Sequence, residues 1–286
     1  MNPTQFLVPD NGKGNGNDRK LFSFLLLLIV ALTVVCLLAL LTLAILNLIP
    51  QEQNPPELPD TSPPETLDDQ PVSTDPADVM LLQTDDAGVE YIGKMVFIGE
   101  STTAHLSSRP GLPIEGTQVW KDSSGTKRLS SRITSEKILC DGVEMTIAEA
   151  CAQKKPEYVV LSFGLNGIMD FIANKDSYKN NYSKLIKAIQ TASPETKIIL
   201  QTVYPVSNAN SFSVDLATLN SYIMTLNEWL PEIAAAHEKV RVADTASVLR
   251  TLDGALISAY DNGDGIHLSA DAYHAILDYL RTHAWK

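Results

Sequence analysis

The stretch EYVVLSFGLNG, Glu157–Gly167, decides the fold. Its first seven residues are an apolar, β-branched run of strand length. Its last four make a Gly-rich turn holding one asparagine. An apolar run without polar alternation is a strand buried on both faces. Working outward, the same signal recurs in KMVFI (Lys94–Ile98), KIILQTV (Lys197–Val203) and VRVAD (Val240–Asp244). Helical patterns fill the intervals. They are Thr146–Gln153, stopped by Pro156, then Ser177–Ala192, and Asp215–His237 with a bend expected at Pro231. In the second of these, Tyr178, Tyr182, Leu185, Ile186 and Ile189 share one face. Ser269 is placed to cap a closing helix, with Asp271 in its first turn and Leu268 and Tyr273 as a staple. KILC (Lys137–Cys140) reads as a second strand, with a hairpin inserted before it over Gly116–Arg132. Strands alternating with helices predict an α/β fold with a parallel sheet covered on both faces.

The chain has 286 residues, 44% of them hydrophobic, and one domain of ordinary size leaves residues over. The surplus is N-terminal. Residues 1–20 read as a short polar tail. Residues 21–49 carry no charge and are dominated by Leu, Ile, Val and Ala. A bilayer core of ~30 Å takes ~20 apolar residues, so this run predicts one transmembrane helix. It is too long for the core of a cleaved signal peptide. Lys13, Arg19 and Lys20 precede it and no Lys or Arg follows before Lys94, which predicts a cytoplasmic N-terminus and an exported remainder at the plasma membrane. Residues 50–80 are rich in Pro and acid and read as a disordered stalk. The folded part is expected over 81–286. The net charge of −12 belongs mainly to the stalk, because from Lys94 onward 19 bases face 21 acids. No clustered Lys/Arg footprint for nucleic acid appears. Cys140 and Cys151 read either as a disulfide or as two small buried residues.

The chemistry lies where strands end, since ligands of an open parallel sheet bind beyond the carboxyl ends of its strands. Ser101 follows the first strand and starts a helix. Asn166 sits in the turn after the decisive strand. His267 lies in a loop three residues beyond Asp264, a spacing that lets the carboxylate fix the imidazole. Singly, each has a bland reading: a capping serine, a turn asparagine, a loop before a capped helix. Jointly they supply a nucleophile, a base, its orienting acid and an oxyanion donor. No phosphate loop, HExxH or CxxC pair is present, and DNGDG (Asp261–Gly265) breaks the calcium-loop spacing, so neither cofactor nor metal is expected.

As a set, these islands resemble the SGNH (GDSL-type) hydrolase superfamily. FIGEST (Phe97–Thr102) resembles its first block, GLN (Gly164–Asn166) its third and DGIHL (Asp264–Leu268) its fifth, over roughly Lys94–Lys286. The resemblance implies a flavodoxin-like three-layer α/β/α fold. It implies that Ser101 is the nucleophile, His267 its base and Asp264 the orienting acid, with the Ser101 N–H and Asn166 in the oxyanion hole. A glycine N–H completes that hole in the family; Gly142 is the better-placed candidate here and Gly125 the poorer. Glu100 stands where the family usually has Asp, and Gly167 where an Asp often follows the asparagine.

The expected activity is that of a membrane-tethered extracytoplasmic serine esterase removing acyl groups, acetyl first, from a cell-surface glycan. Two alternatives stay open. One is an O-acetyltransferase served by a separate membrane acyl-donor partner, and the other a non-catalytic glycan-binding module. Trp120 and Phe171 suit either a stacked sugar or the core.

Overall fold

The computed structural model describes residues 76–286. The expected tail, membrane span and most of the stalk lie outside the described residues. Among the described residues no helix is long and apolar enough to cross a membrane.

Among the described residues six strands form: β1 (Met95–Gly99), β2 (Lys137–Cys140), β3 (Val143–Thr146), β4 (Tyr158–Ser162), β5 (Lys197–Gln201) and β6 (Val240–Ala243). Four make one parallel sheet in the order β1-β4-β5-β6. Its register pairs Phe97 with Val160, Val160 with Ile199, and Ile199 with Arg241. β4 is buried along its whole length, as its unbroken apolar run requires.

The period of two along each strand separates two cores. Ile98, Val159, Leu161 and Leu200 join the first, with Leu185, Ile186 and Ile189 from a helix over Lys175–Ala192 and Leu226 and Leu230 from one over Leu216–Ala235. The second helix runs through Pro231 without ending there. Phe97, Val160 and Ile199 face the second core, with Ile92, Leu106, Tyr273 and Leu277. Trp120 and Phe171 are both buried, so neither is free to stack on a sugar.

Three expectations are corrected. The stalk does not reach residue 80: Pro76–Val79 forms a 3-10 turn, Val79 enters the core, and the Leu81 N–H donates to the Val242 carbonyl at 2.8 Å. This segment covers the edge of β6, which would otherwise expose unpaired backbone groups. KILC is not in the parallel sheet. It pairs antiparallel with β3 around Asp141-Gly142, at φ 50° and 79°. Asp-Gly is the preferred pair where both turn residues need φ above zero. The hairpin expected over Gly116–Arg132 is absent. Val119 makes a single parallel bridge to Phe97 beside β1, Lys121 bridges to Leu139, and the rest is loop. Two apolar residues, Val119 and Trp120, are too few to propagate a strand. Cys140 and Cys151 are buried and unpaired in the first core.

Candidate active site

β1 ends at Gly99, and the chain turns at once into the helix α2, Ser101–Leu106; a preceding helix, α1, spans Gly88–Ile92. A Cβ at Gly99 would lie 2.2 Å from Thr103 Oγ1 and 2.4 Å from the Ser162 carbonyl oxygen, so the turn requires glycine. Ser101 is the first helical residue, and its N–H has no intrahelical acceptor.

Glu100 turns inward. It is 4% exposed, and its carboxylate accepts from the Gly164 N–H at 2.9 Å and the Asn166 N–H at 3.1 Å. Burial pushes its carboxyl up to about 7, opposed by the N–H groups of Gly164, Asn166 and Leu165. The longer side chain thus ties the nucleophile's turn to the asparagine's turn across the carboxyl ends of β1 and β4.

The third island is held by Asp261, whose carboxylate accepts from the N–H of Gly263 at 2.7 Å, the N–H of Gly265 at 2.9 Å and the Ser207 hydroxyl at 2.6 Å. Gly265, at φ 82°, packs against Asn208, where a Cβ would meet another at 2.1 Å. Asp264 then accepts from the N–H groups of Ile266 at 2.9 Å and His267 at 2.8 Å through Oδ1. Its Oδ2 lies 2.6 Å from His267 Nδ1. Burial raises the Asp264 carboxyl, but the His267 backbone and ring and the Ile266 N–H outweigh it and bring it to about 2. An ionised Asp264 accepts only, so Nδ1–H donates to it and leaves the Nε2 lone pair free. Ser101 Oγ lies 2.9 Å from that Nε2, in position to donate. Tyr273 ties the arrangement from below, its hydroxyl donating to the Thr102 carbonyl at 2.5 Å.

The structure therefore brings Ser101, His267 and Asp264 into one hydrogen-bonded line. Asn166 is tied by its backbone N–H to Glu100, the residue before Ser101, while its side-chain Nδ2 sits 3.5 Å from the Lys127 carbonyl, a bond at the limit of length. The two glycine candidates lie in different places. Gly142 is at the tip of the β2–β3 turn, whereas Gly125 lines the cavity beside Ser101. The Gly125 N–H is already engaged, donating to the Asp122 carbonyl at 3.1 Å. Among the described residues no cluster of three His, Cys, Asp or Glu side chains is placed to hold a metal ion.

A cavity of about 370 Å³ opens at Ser101 and His267. Sequence reading missed most of its wall. His105, one turn after Ser101, sets its ring 4.3 Å from that of His267. Burial lowers its pKa, and the charges of His267 and Arg109 lower it further. Its buried Nδ1 has no partner, which costs less if that nitrogen carries no proton. Lys121, Ser123, Ser124 and Thr126 come from the loop after Trp120. That loop is clipped by Lys127, 3% exposed, whose Nζ lies 3.3 Å from Glu136 Oε2. The i, i+4 step from Ser101 to His105 was the one available signal for this wall.

The model of the GDSL-like lipase/acylhydrolase family matches residues 97–275. The chain belongs to that family. It is similar in structure to a carbohydrate esterase family 3 protein from Talaromyces cellulolyticus, with 14% identity, 65% of this chain and 95% of that one covered, and a TM-score of 0.43. A Clostridium thermocellum family 3 carbohydrate esterase shares 17% identity over 66% of this chain and 93% of its own, with a TM-score of 0.41. A GDSL-like lipase from Bacteroides thetaiotaomicron shares 18% identity over 68% and 88%, with a TM-score of 0.43. No curated protein matches the chain. Membership in this GDSL family points to ester or acyl hydrolysis.

Proposed function

We propose that this member of the family is a serine esterase that removes small acyl groups, acetyl first, from a glycan at the cell surface. The reading is carried by the line from Ser101 Oγ through His267 to Asp264, at 2.9 and 2.6 Å. Ser101 Oγ attacks the ester carbonyl as its proton passes to His267 Nε2. The Oγ–carbon bond forms, the bond to the alcohol oxygen breaks, and the alcohol leaves with the proton held by His267. Water then gives a proton to His267 and takes the acyl group, and the serine recovers its proton. Asp264 stabilises the transient imidazolium. The Ser101 N–H and Asn166 Nδ2 are assigned to the developing oxyanion.

The cavity wall favours a polar substrate. Among the described lining residues Ala104 alone has a purely apolar side chain, and hydroxyls of Ser108, Ser123, Ser124 and Thr126 surround it. A fatty-acyl chain would bury little apolar surface there, while a sugar would find hydroxyl partners. Tethering rests on the uncharged run at 21–49 and the Lys/Arg placement around it. That topology puts the site among wall or capsule polymers, outside the plasma membrane.

The test is labelling with a fluorophosphonate and cleavage of p-nitrophenyl acetate by the full chain. Ser101→Ala is expected to abolish labelling and lower kcat by about 10⁴-fold or more. Equal labelling of the two proteins would defeat the assignment. Acyl transfer to an added sugar in place of acetate release would redirect it to the transferase reading.

A further inference from the structure

The cavity at Ser101 holds a positive charge that the acyl-transfer chemistry leaves unused. Lys121 is half-buried in its wall, and its Nζ donates to Ser107 Oγ at 3.1 Å. Among the described residues it has no carboxylate partner, unlike Lys127, Lys154 and Lys175, each paired with an acid. The acid next to it, Asp122, is turned back into its own loop. It accepts from the Thr126 N–H at 3.0 Å and the Ser124 hydroxyl at 3.0 Å. The other nearby acid, Asp264, is committed to His267. A second cation, Arg109, donates to the Leu268 carbonyl at 3.0 Å, and its buried Nε is without a partner. The charges of both Arg109 and Lys121 act on His105.

A partly buried ammonium with one hydroxyl partner has room for a further one, and an anion entering the cavity would supply it. We infer that the ester substrate carries a carboxylate and that Lys121 binds it, so that the preferred substrate is an O-acylated sugar acid. This rests on the esterase reading and names the substrate class for it. Arg109 is not among the residues that line the cavity, so Lys121 offers one positive charge there, which matches a carboxylate better than a doubly charged phosphate. The hydroxyls of Ser108, Ser123 and Thr126 suit the sugar ring that bears it.

The experiment compares acetate release from acetylated methyl galacturonoside with release from acetylated methyl galactoside, its neutral counterpart. A charge-assisted bond in such a site is expected to favour the acid by about 10-fold or more in kcat/KM. Lys121→Gln is expected to bring the ratio near one, chiefly through KM for the acid. Lys121→Arg is expected to keep most of the preference, which separates a charge role from a structural one. Equal rates on the two sugars in the unmodified protein, or a preference that survives in Lys121→Gln, overturn the inference. If no ester is cleaved, p-nitrophenyl acetate included, the esterase reading has failed by itself. The anion site is then decided by calorimetric titration with methyl galacturonoside: binding lost in Lys121→Gln supports it, and no binding by the unmodified protein overturns it.

Discussion

The two ends of the parallel sheet carry cavities of opposite character. At the amino end of β1 a space of about 600 Å³ is lined by Lys94, Glu157, Asp141 and Lys154, among others. Its charges cancel in pairs, with Lys94 3.1 Å from Glu157 and Lys154 against Asp141. At the carboxyl end the smaller space, about 370 Å³, is lined by Lys121 with no acid to cancel it, and Asp264 lies behind His267. There Asp264 is spent on orienting a histidine, the histidine faces a hydroxyl, and Lys121 donates to a hydroxyl with no acid beside it among the described residues. Volume therefore does not mark the reactive end. What marks it is charge held in a fixed arrangement without local compensation, the usual condition of a group reserved for a ligand or a transition state.

The sharpest way to break the contrast is Asp264→Asn, which keeps the shape and removes the charge behind the imidazole. A fall in kcat of about 10³–10⁴-fold is expected with the fold intact, because the amide favours the wrong tautomer. A loss below about 10-fold would mean that Asp264 does not orient the base. With Asp264 brought to about 2, it stays ionised across the usual assay range, so a loss of activity in mild acid does not report its carboxyl.

A smaller effect is expected at Glu100. Its carboxyl rises from 4.5 to about 7 on folding, chiefly through burial, so the folded protein binds the extra proton between those values. Its contribution to stability is complete below about 4.5 and is lost as pH rises through about 7, by roughly 3 kcal/mol in all. Denaturant melts from pH 5 to 8 are expected to show that decline, and Glu100→Gln is expected to flatten it. An unchanged slope in the variant would refute the assignment.

The smallest effect belongs to the other cavity. Lys94 and Glu157 are about half exposed, at 53% and 46%, so Glu157→Gln is expected to alter stability by no more than about 0.5 kcal/mol. Its esterase rate is expected to match that of the unmodified protein. A loss of activity there would erase the distinction between the two ends.

Ser101 and Asn166 were legible from the strands β1 and β4 that they closely follow, and Asp264 and His267 from their spacing to each other; residues that meet only through the fold were not. Lys121 and Lys127 lie in an aperiodic loop, where nothing in the pattern shows which side chains turn inward. The hairpin was expected over Gly116–Arg132, whereas the antiparallel pair forms around Asp141-Gly142, and Asp-Gly matches the twist of paired strands. The start of the fold was set too late because Pro76 and Asp78 mask the apolar run Val79–Leu81, which docks on β6.

The partners His267 and Ser101 are 166 positions apart in the chain. A polypeptide emerging from its N-terminal end therefore presents the hydroxyl long before the imidazole that would activate it. Any product truncated between them, by a broken message or an early proteolytic cut, would be chemically silent at the serine. Ester hydrolysis is thereby withheld until the DGIHLS loop has been made and folded.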